Sequence, residues 1–441
     1  MGGFIGKVQE IIFSPNPNPE LIYYVLGIVM FVLMCVALGF AINSMVQQSR
    51  TTPVASPENV ALMQATAAKL IQGFIGSQEG FVDLDGSNSW NGIISKLAPG
   101  ERYLVNLCPL TASLGGWIGG DVNKGVFYSD FYLQKALRAG IRSFVLPICT
   151  YTDDNKIPPN WPMSGDPAVV ARDTTGKIIS LNAISVKQFC TDLIRFNGAN
   201  PSQSSEPIML HIIEDTGYLP DAVKDEKRYA KVLSKLAADL SVIPQSMRLT
   251  NLGGYGSAVG SQNESNILTQ IPLSELQSKV IIFTNFKTTV GQKSAYASLK
   301  PTLDDFTNFT IRPVIAQNAG LAVGSGSRSL RLADISGSSI AWTDQARTVY
   351  HMTMDYNLTN PPAATVDNAI RTGIQVVPVP FYCGPLSETK ASWDLWKGYS
   401  WRIKEPEARY LKPDPVVPAK PSAKMNARVS PDLQPGQAVV G

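Results

Sequence analysis

Short apolar runs alternate with amphipathic stretches through the middle of the chain. Largely apolar runs predict strands at Ile141–Ile148, Pro207–Ile213, Val280–Phe286, Ile311–Ala316, Arg347–Met354 and Gly373–Val379. Apolar residues at helical spacing predict helices around Leu133–Leu137, Val186–Ile194 and Tyr229–Leu240. Apolar strands separated by helices are typical of a parallel sheet covered on both faces. We therefore predict an α/β fold over residues 59–400, either a closed barrel or a doubly wound sheet.

One uncharged run precedes this region. Leu21–Ile42 has 22 residues without a charge, and Tyr23 and Tyr24 stand at one end. About 20 apolar residues in a helix span a bilayer, and a signal-peptide core is shorter. The pattern therefore predicts a retained transmembrane helix at 21–42, after an N-terminal segment at 1–20 and before a polar linker at 43–58. The few flanking charges do not set its orientation.

The C-terminal part of the chain has a different composition. Prolines recur there at Pro406, Pro413, Pro415, Pro418, Pro421, Pro431 and Pro435. Proline at this density interrupts helices and sheets and favours extended backbone. Residues 401–441 are therefore predicted to form an extended or disordered tail.

Composition and charge exclude several classes of function. The 441 residues carry a net charge of +3, which gives no reason to expect nucleic acid as a partner. The five cysteines are widely spaced and the chain has only two histidines, so a zinc ribbon and a site with three histidine ligands are excluded. Reduced, buried thiols are the expected state of the cysteines.

Several segments occur in an order that matches a known family. They are YLVNLCPLTASLGG (103–116), YSDFYLQKALRAGIRSFVLPI (128–148), PAVVARDTTGKI (167–178), EPIMLHIIED (206–215), IPLSELQSKVIIFTNFK (271–287), and ARTVYHMTMDYN with NAIRTGIQVVPVPFY (346–382). In these segments the chain resembles the phosphoinositide-specific phospholipase C-like phosphodiesterases. The resemblance covers about residues 103–386 and implies a TIM-type (β/α) barrel.

The resemblance also implies that the catalytic groups have been replaced. In the family, one histidine is the general base and another the general acid. Carried over onto this chain, the first position holds Cys108 and the second holds Asp173 or Arg172. An ordinary thiol is mostly protonated at neutral pH and an aspartate is ionised, so this pair offers weak acid–base catalysis. Cys108 could still act as a nucleophile beside a cation, with Asp173 as a base.

The family's metal and phosphate positions are only partly kept. Its calcium-binding carboxylates fall on Val145, Pro147 and Ile213, with Glu214 one position away. Calcium needs about six to eight oxygen ligands, so we expect neither a bound metal nor another cofactor. Lys279 and Lys287 lie near the family's basic contacts and remain candidates for phosphate binding.

Other polar motifs give weaker signals. His211 lies in an apolar strand and is expected to be a core residue, whereas His351 lies in a half-polar strand that could face the barrel mouth. The glycine-rich stretches at 252–260 and 324–327 lack a complete nucleotide-binding pattern and are expected to be loops. Sequons begin at Asn263, Asn308 and Asn357, and chance produces some of these in a chain rich in Asn, Ser and Thr.

Together these features favour a membrane-anchored, catalytically degenerate barrel that acts by interaction. Its expected partners are a bilayer and proteins of a membrane-associated or capsid assembly, as in a minor capsid or capsid–membrane tethering protein of a large DNA virus. Two alternatives stay open: an active membrane-bound phosphodiesterase with unusual catalytic residues, and a surface protein that binds a phosphorylated headgroup or sugar.

Overall fold

The computed structural model describes most of the central part of the chain. The described residues are 23, 30, 31, 34, 90–119, 125–150, 165–172, 180, 182–199, 205–215, 219, 222, 224–249, 264–287, 301–313, 326–331, 348–353, 361–381 and 391–412. Asp173, Asn263, Asn357 and the stretch at 252–260 lie outside these residues. Of the predicted anchor, only Tyr23, Met30, Phe31 and Met34 are described. Within the described residues, no helix has the length and apolar character needed to cross a membrane.

Helices and strands alternate along the described chain. The helices are α1 (Trp90–Ser95), α2 (Ser129–Arg138), α3 (Val186–Ala199), α4 (Glu226–Leu240), α5 (Glu264–Thr269) and α6 (Ala363–Arg371). The strands are β1 (Leu107–Pro109), β2 (Thr111–Ser113), β3 (Trp117–Gly119), β4 (Gly125–Phe127), β5 (Ser143–Cys149), β6 (Ala168–Val169), β7 (Ile208–Glu214), β8 (Val280–Thr284), β9 (Phe309–Pro313), β10 (Gly326–Arg331), β11 (Thr348–Thr353), β12 (Pro378–Pro380) and β13 (Trp401–Ile403).

The main sheet has the strand order of a barrel. Its described strands follow the order β11-β10-β9-β8-β7-β5-β2-β12, and neighbouring strands in this order are parallel. The last parallel strand, β12, therefore pairs with the first, β2, as in a TIM-type barrel. No ladder among the described residues joins β11 to β12. The predicted α/β class with a parallel sheet is confirmed, and the strand order fits the barrel.

Two apolar layers hold this sheet, one on each face. On β5, Phe144, Leu146 and Ile148 belong to the core that includes the helix residues Leu133 and Phe189. The opposite faces of the strands contribute a second core that includes Met209, Ile281, Phe283 and Phe309. Because both faces are covered, nearly every residue of these strands is apolar and periodicity alone does not reveal their faces.

The predicted helices follow from their apolar stripes. On α4, the residues Tyr229, Val232, Leu233, Leu236 and Leu240 are all buried, and on α2 Tyr132, Leu133, Ala136 and Leu137 are buried. Gly140 follows α2 with φ of 88°, a left-handed conformation that glycine adopts without strain. The helix predicted around Leu133–Leu137 is confirmed, and it ends at Arg138, two residues before this glycine.

Two predictions about irregular regions need correction. Residues 324–327 were expected to form a loop, but β10 begins at Gly326 and pairs in parallel with β9 and β11. Residues 401–412, assigned from composition to an extended or disordered tail, belong to the folded domain. Trp401 is 2% exposed, and β13 pairs antiparallel with β1. The aromatic residues Trp401 and Tyr410 anchor this segment despite the nearby prolines, since burial of aromatic rings outweighs local propensity.

The β1–β13 pair covers the N-terminal end of the parallel sheet. Trp401 donates a hydrogen bond from Nε1 to Glu206 Oε2 at 3.2 Å, and Arg142 Nε lies 3.0 Å from the same oxygen. Arg142 immediately precedes β5, and Glu206 lies two residues before β7. The Trp90 ring packs against Trp401 with centroids 5.4 Å apart. The opposite end, where the parallel strands finish, is the end at which TIM-type barrels carry their functional sites.

Candidate functional site at the C-terminal strand ends

A strained turn follows β2 at this end of the sheet. Leu114 has φ of 46° and Gly116 has φ of 93°, so two residues of the turn are left-handed. Gly115 lies between them with no room for a side chain, because a Cβ there would lie 2.9 Å from both Leu146 Cδ2 and Phe189 Cε2. Ser113, the last residue of β2, is 1% exposed and its hydroxyl has no hydrogen-bond partner among the described residues. Backbone strain of this kind is often found at functional sites.

A buried ion pair connects the next two elements. Arg172 Nε donates to Asp215 Oδ2 at 3.1 Å, and the side chains are 4% and 2% exposed. Asp215 directly follows β7, and its amide donates to the carbonyl of Ile148 on β5 at 2.9 Å. The pair therefore fixes the segment after β6 to the ends of β5 and β7. Each charge neutralises the other, as a buried pair requires.

A buried thiol lies beside this ion pair. Cys149 is the last residue of β5 and its Sγ is 3.5 Å from the carbonyl oxygen of Ala168. Burial raises the pKa of Cys149 to about 12, against the opposing influence of the Arg172 guanidinium. The thiol therefore stays protonated at neutral pH and is a poor nucleophile.

The end of β8 contributes polar groups that support the backbone. Asn285 Oδ1 accepts a hydrogen bond from the Glu214 amide at 2.6 Å, which ties the ends of β7 and β8 together. The Lys287 amide donates to the Tyr229 hydroxyl at 2.9 Å, while the lysine side chain is exposed. Lys287 is therefore a cation on the side of the strand ends, and its role in phosphate binding stays a prediction.

The structure does not bring all of the sequence-predicted site residues together. Cys108 lies on β1, three residues before β2 begins, at the N-terminal end of the sheet. Its thiol is 1% exposed, and burial raises its pKa to about 11. Its carbonyl accepts a hydrogen bond from Trp396 Nε1 at 3.1 Å. Cys108 therefore does not lie with the residues at the C-terminal strand ends, because the first barrel strand is Thr111–Ser113, which follows it.

Lys279 also lies at the wrong end for the expected phosphate contact. It immediately precedes β8, and its Nζ donates to the carbonyl of Ser246 at 2.7 Å. Lys279 and Lys287 flank the two ends of the same strand. The two candidate lysines therefore lie apart, at opposite ends of the sheet.

The positions of the family's metal ligands do lie close together. Pro147 pairs in register with Ile213, and Val145 pairs with His211. By strand alternation, Val145 and Pro147 face away from the helix-covered side of β5, so they lie within the barrel-like interior. The side chains of Val145, Pro147 and Ile213 cannot bind a metal. Within the described residues, no three His, Cys, Asp or Glu side chains are placed to hold a metal ion.

The two histidines occupy different parts of the sheet. His211 is 1% exposed, its Nε2 is 2.8 Å from Ser143 Oγ, and its ring stacks on Phe283 with centroids 4.7 Å apart. The prediction that His211 is a core residue is confirmed. His351 lies on β11 opposite Ser329 of β10 in the strand register.

The geometry identifies contacts that sequence reasoning missed. Arg172 was a candidate for the second acid–base position, but its partner Asp215 is 43 residues away in sequence and no motif links them. The sequence also gave no sign of the contacts of Cys149 and Asn285, because these contacts depend only on the position of each residue at the end of a strand. Among the described residues at these ends, the polar groups mainly bind one another and the backbone.

Comparisons with known proteins place the chain near phospholipases C only at low similarity. No protein-family model and no curated protein matches the chain. Among solved structures, L. pealei PLC21 is 12% identical with a TM-score of 0.45, covering 71% of this chain and 39% of that protein. A calcium-dependent phosphoinositol-specific phospholipase C from Pseudomonas sp is 13% identical with a TM-score of 0.41, covering 72% of this chain and 99% of that one.

A third structure gives the same picture. The Ca²⁺-dependent phosphatidylinositol-specific phospholipase C from Streptomyces antibioticus is 14% identical with a TM-score of 0.38, covering 65% of this chain and 96% of that enzyme. The chain thus spans 39% of the length of the L. pealei protein. At these identities and TM-scores, the likeness carries no argument about what this chain does.

Proposed function

We propose that the chain is a membrane-anchored structural or interaction protein built on a phospholipase C-like barrel that has lost catalysis. Its partners would be a lipid bilayer and the proteins of a membrane-associated or capsid assembly. The anchor would be the predicted helix at 21–42, and the described part of the folded domain reaches Lys412. Residues after 421 would contact further partners.

The Arg172–Asp215 ion pair is the observation that carries this proposal. Arg172 occupies one of the two positions that the family resemblance gives to the second acid–base group. Its guanidinium is 3.1 Å from a carboxylate and both side chains are buried, so neither group is exposed to a substrate. A paired arginine cannot donate and accept protons near neutral pH. The contact instead stabilises the strand ends.

The thiols support the same conclusion. Nucleophilic catalysis by cysteine needs the thiolate, which a lowered pKa supplies. Burial raises the pKa of Cys108 to about 11 and that of Cys149 to about 12, which opposes this requirement. Neither thiol is therefore suited to attack a phosphodiester at neutral pH.

A turnover assay tests the loss of catalysis. The full-length chain is incubated with phosphatidylinositol and its phosphorylated forms, with and without calcium, beside Cys108→Ala, Asp173→Ala and Asp215→Asn variants. We expect no release of inositol phosphate by any of them. Turnover that one of these substitutions abolishes would overturn the proposal in favour of an enzyme, since a general acid or base contributes about 10²–10⁴-fold in rate.

A second measurement tests the interaction role. Membranes and particles that contain the full-length chain are cross-linked in place, and the neighbouring proteins are identified by mass spectrometry. Stable cross-links to the same shell or membrane proteins in independent preparations would support the proposal. Saturable binding of an inositol phosphate without such neighbours would favour a ligand-binding protein instead.

A further inference from the structure

A groove opens at the N-terminal end of the sheet, away from the site described above. It has a volume of about 530 Å³ and lies between α1, α6 and the segment around β13. Its lining includes Lys96, Leu395, Trp396, Tyr399, Trp401 and Ile403. Leu395, Tyr399 and Ile403 are partly exposed, whereas Trp396 and Trp401 are each 2% exposed. The apolar surface that the groove offers to an incoming segment is therefore that of Leu395, Tyr399 and Ile403, and seven charged residues also line it.

Several charged groups at the rim of the groove are paired with one another. Asp367 accepts hydrogen bonds from Arg371 Nε at 2.7 Å and from Arg402 Nη1 at 3.0 Å. Lys96 donates to the Tyr399 hydroxyl, and its Nζ lies 3.9 Å from the centre of that ring. Charges that are paired in this way leave a weak field for a free ion. A largely apolar surface fits these paired charges better than an isolated anion does.

The chain itself supplies such a surface close to the groove. The Lys412 amide donates to the Gly100 carbonyl at 2.9 Å, which fixes the end of the described chain. Gly100 lies four residues after Lys96, which lines the groove. Immediately afterwards the sequence contains Pro415, Pro418 and Pro421 at intervals of three. A polyproline II helix has about three residues per turn, so these prolines would share one face.

Binding of this segment would cost little conformational entropy. Proline-rich segments with this spacing bind in aromatic-lined grooves, and their fixed φ angles reduce the entropy lost on binding. A short connection also gives a tethered segment an effective concentration in the millimolar range. At about 3.1 Å per residue, Pro415 to Pro421 would extend for about 19 Å.

We propose that residues 413–421 of the chain's own C-terminal segment bind in this groove. The segment would lie along Tyr399 and Ile403, with its three prolines facing the aromatic edges. This contact would hold the start of the C-terminal segment at the N-terminal end of the sheet, and it does not depend on whether the barrel is catalytic.

Photocross-linking of the full-length chain tests the proposal. The photoreactive residue p-benzoylphenylalanine replaces Lys96 at the groove, or replaces Lys231, an exposed residue on α4 that does not line the groove, as the matched control. After irradiation, mass spectrometry maps the cross-linked peptides. We expect cross-links from position 96 to residues 413–421 of the same chain, at least about tenfold above the yield from position 231, as a high effective concentration requires.

Two further variants separate specific binding from mere proximity. Replacing Pro415, Pro418 and Pro421 with alanine together should reduce the yield from position 96 several-fold, whereas Pro431→Ala with Pro435→Ala should not. Equal yields from the two proline variants, or no cross-link from position 96 to residues 413–421, would overturn the proposal. So would cross-links found only between two chains, which a mixture of isotopically light and heavy protein reveals.

Discussion

At the residue scale, Asn308 shows how a surface motif can be a core residue. It begins an N-x-T sequon, yet it is 2% exposed. Its Oδ1 accepts a hydrogen bond from the Ile282 amide at 2.8 Å, and its Nδ2 donates to the Leu249 carbonyl at 3.3 Å. A glycan attached to Nδ2 would have no space in the folded domain. The sequence alone left this open, because the partners lie 26 and 59 residues away.

Replacing Asn308 should therefore cost stability. Asn308→Ala leaves the Ile282 amide and the Leu249 carbonyl buried without this partner, so we expect a loss of about 1–3 kcal/mol in the free energy of unfolding. Urea denaturation measures it, with the exposed Asn91→Ala on α1 as the control. An equal effect of the two substitutions would contradict the assigned role of Asn308.

Lys404 should make stability depend on pH. Burial lowers the pKa of Lys404 from 10.5 to about 7, with a smaller opposing effect from Cys108. Between these values the unfolded chain holds a proton that the folded chain lacks, so the free energy of unfolding rises with pH. We expect a slope of up to about 1.4 kcal/mol per pH unit from pH 7 to 8, below the pKa of about 8.5 at which unfolded cysteines ionise. Lys404→Met should flatten the slope, and an unchanged slope would contradict this assignment.

At the scale of elements, the strands with both faces buried were predictable and the short ones were not. Val280–Phe286 was predicted from its apolar run, and β8 occupies Val280–Thr284. The strand β10 has the polar sequence GSRSLR, so its pairing with β9 and β11 left no local signal. The pair β1–β13 joins residues almost 300 positions apart, which no periodicity can reveal. The candidate site was harder still, because Cys149, Arg172 and Asp215 meet only once three elements are assembled.

The stability of the β1–β13 pair should depend on the buried Arg142–Glu206 ion pair next to it. Glu206→Ala removes the carboxylate shared by Arg142 and Trp401, leaving the arginine buried without its ion-pair partner, so we expect a loss of about 3–5 kcal/mol in the free energy of unfolding. The double variant Arg142→Met with Glu206→Leu should recover most of it, since both charges are then absent. Chemical denaturation measures these values, with the exposed Glu275→Ala as control. A double variant as unstable as Glu206→Ala would show that lost packing, rather than an unpaired charge, lowers the free energy of unfolding.

At the scale of the whole molecule, the α/β class followed from the alternation of apolar strands and helices. The extent of the folded domain could not be predicted from this alternation. Composition assigned residues 401–412 to a tail, whereas Trp401 and Tyr410 pack on the domain. Proline content reports local backbone preference, whereas tertiary burial decides whether a segment is part of the fold.

The predicted anchor leads to a test on the full chain. Leu21–Ile42 has 22 uncharged residues, against about 20 needed to span a bilayer. We expect the full-length chain to stay with membranes in alkaline carbonate and a chain without residues 1–50 to be released. Recovery of the full-length chain in the supernatant would show that the prediction of a transmembrane helix is wrong.

The closeness of Trp90 to Trp401 has a mechanical consequence. The described domain begins at Trp90 and ends at Lys412, and both ends lie on the side of the sheet covered by β1 and β13. A pulling force applied between the two flanking segments would enter and leave at this side. The Lys412–Gly100 hydrogen bond and then the three residue pairs of β1–β13 would bear it, so they would yield before the parallel strands experience tension.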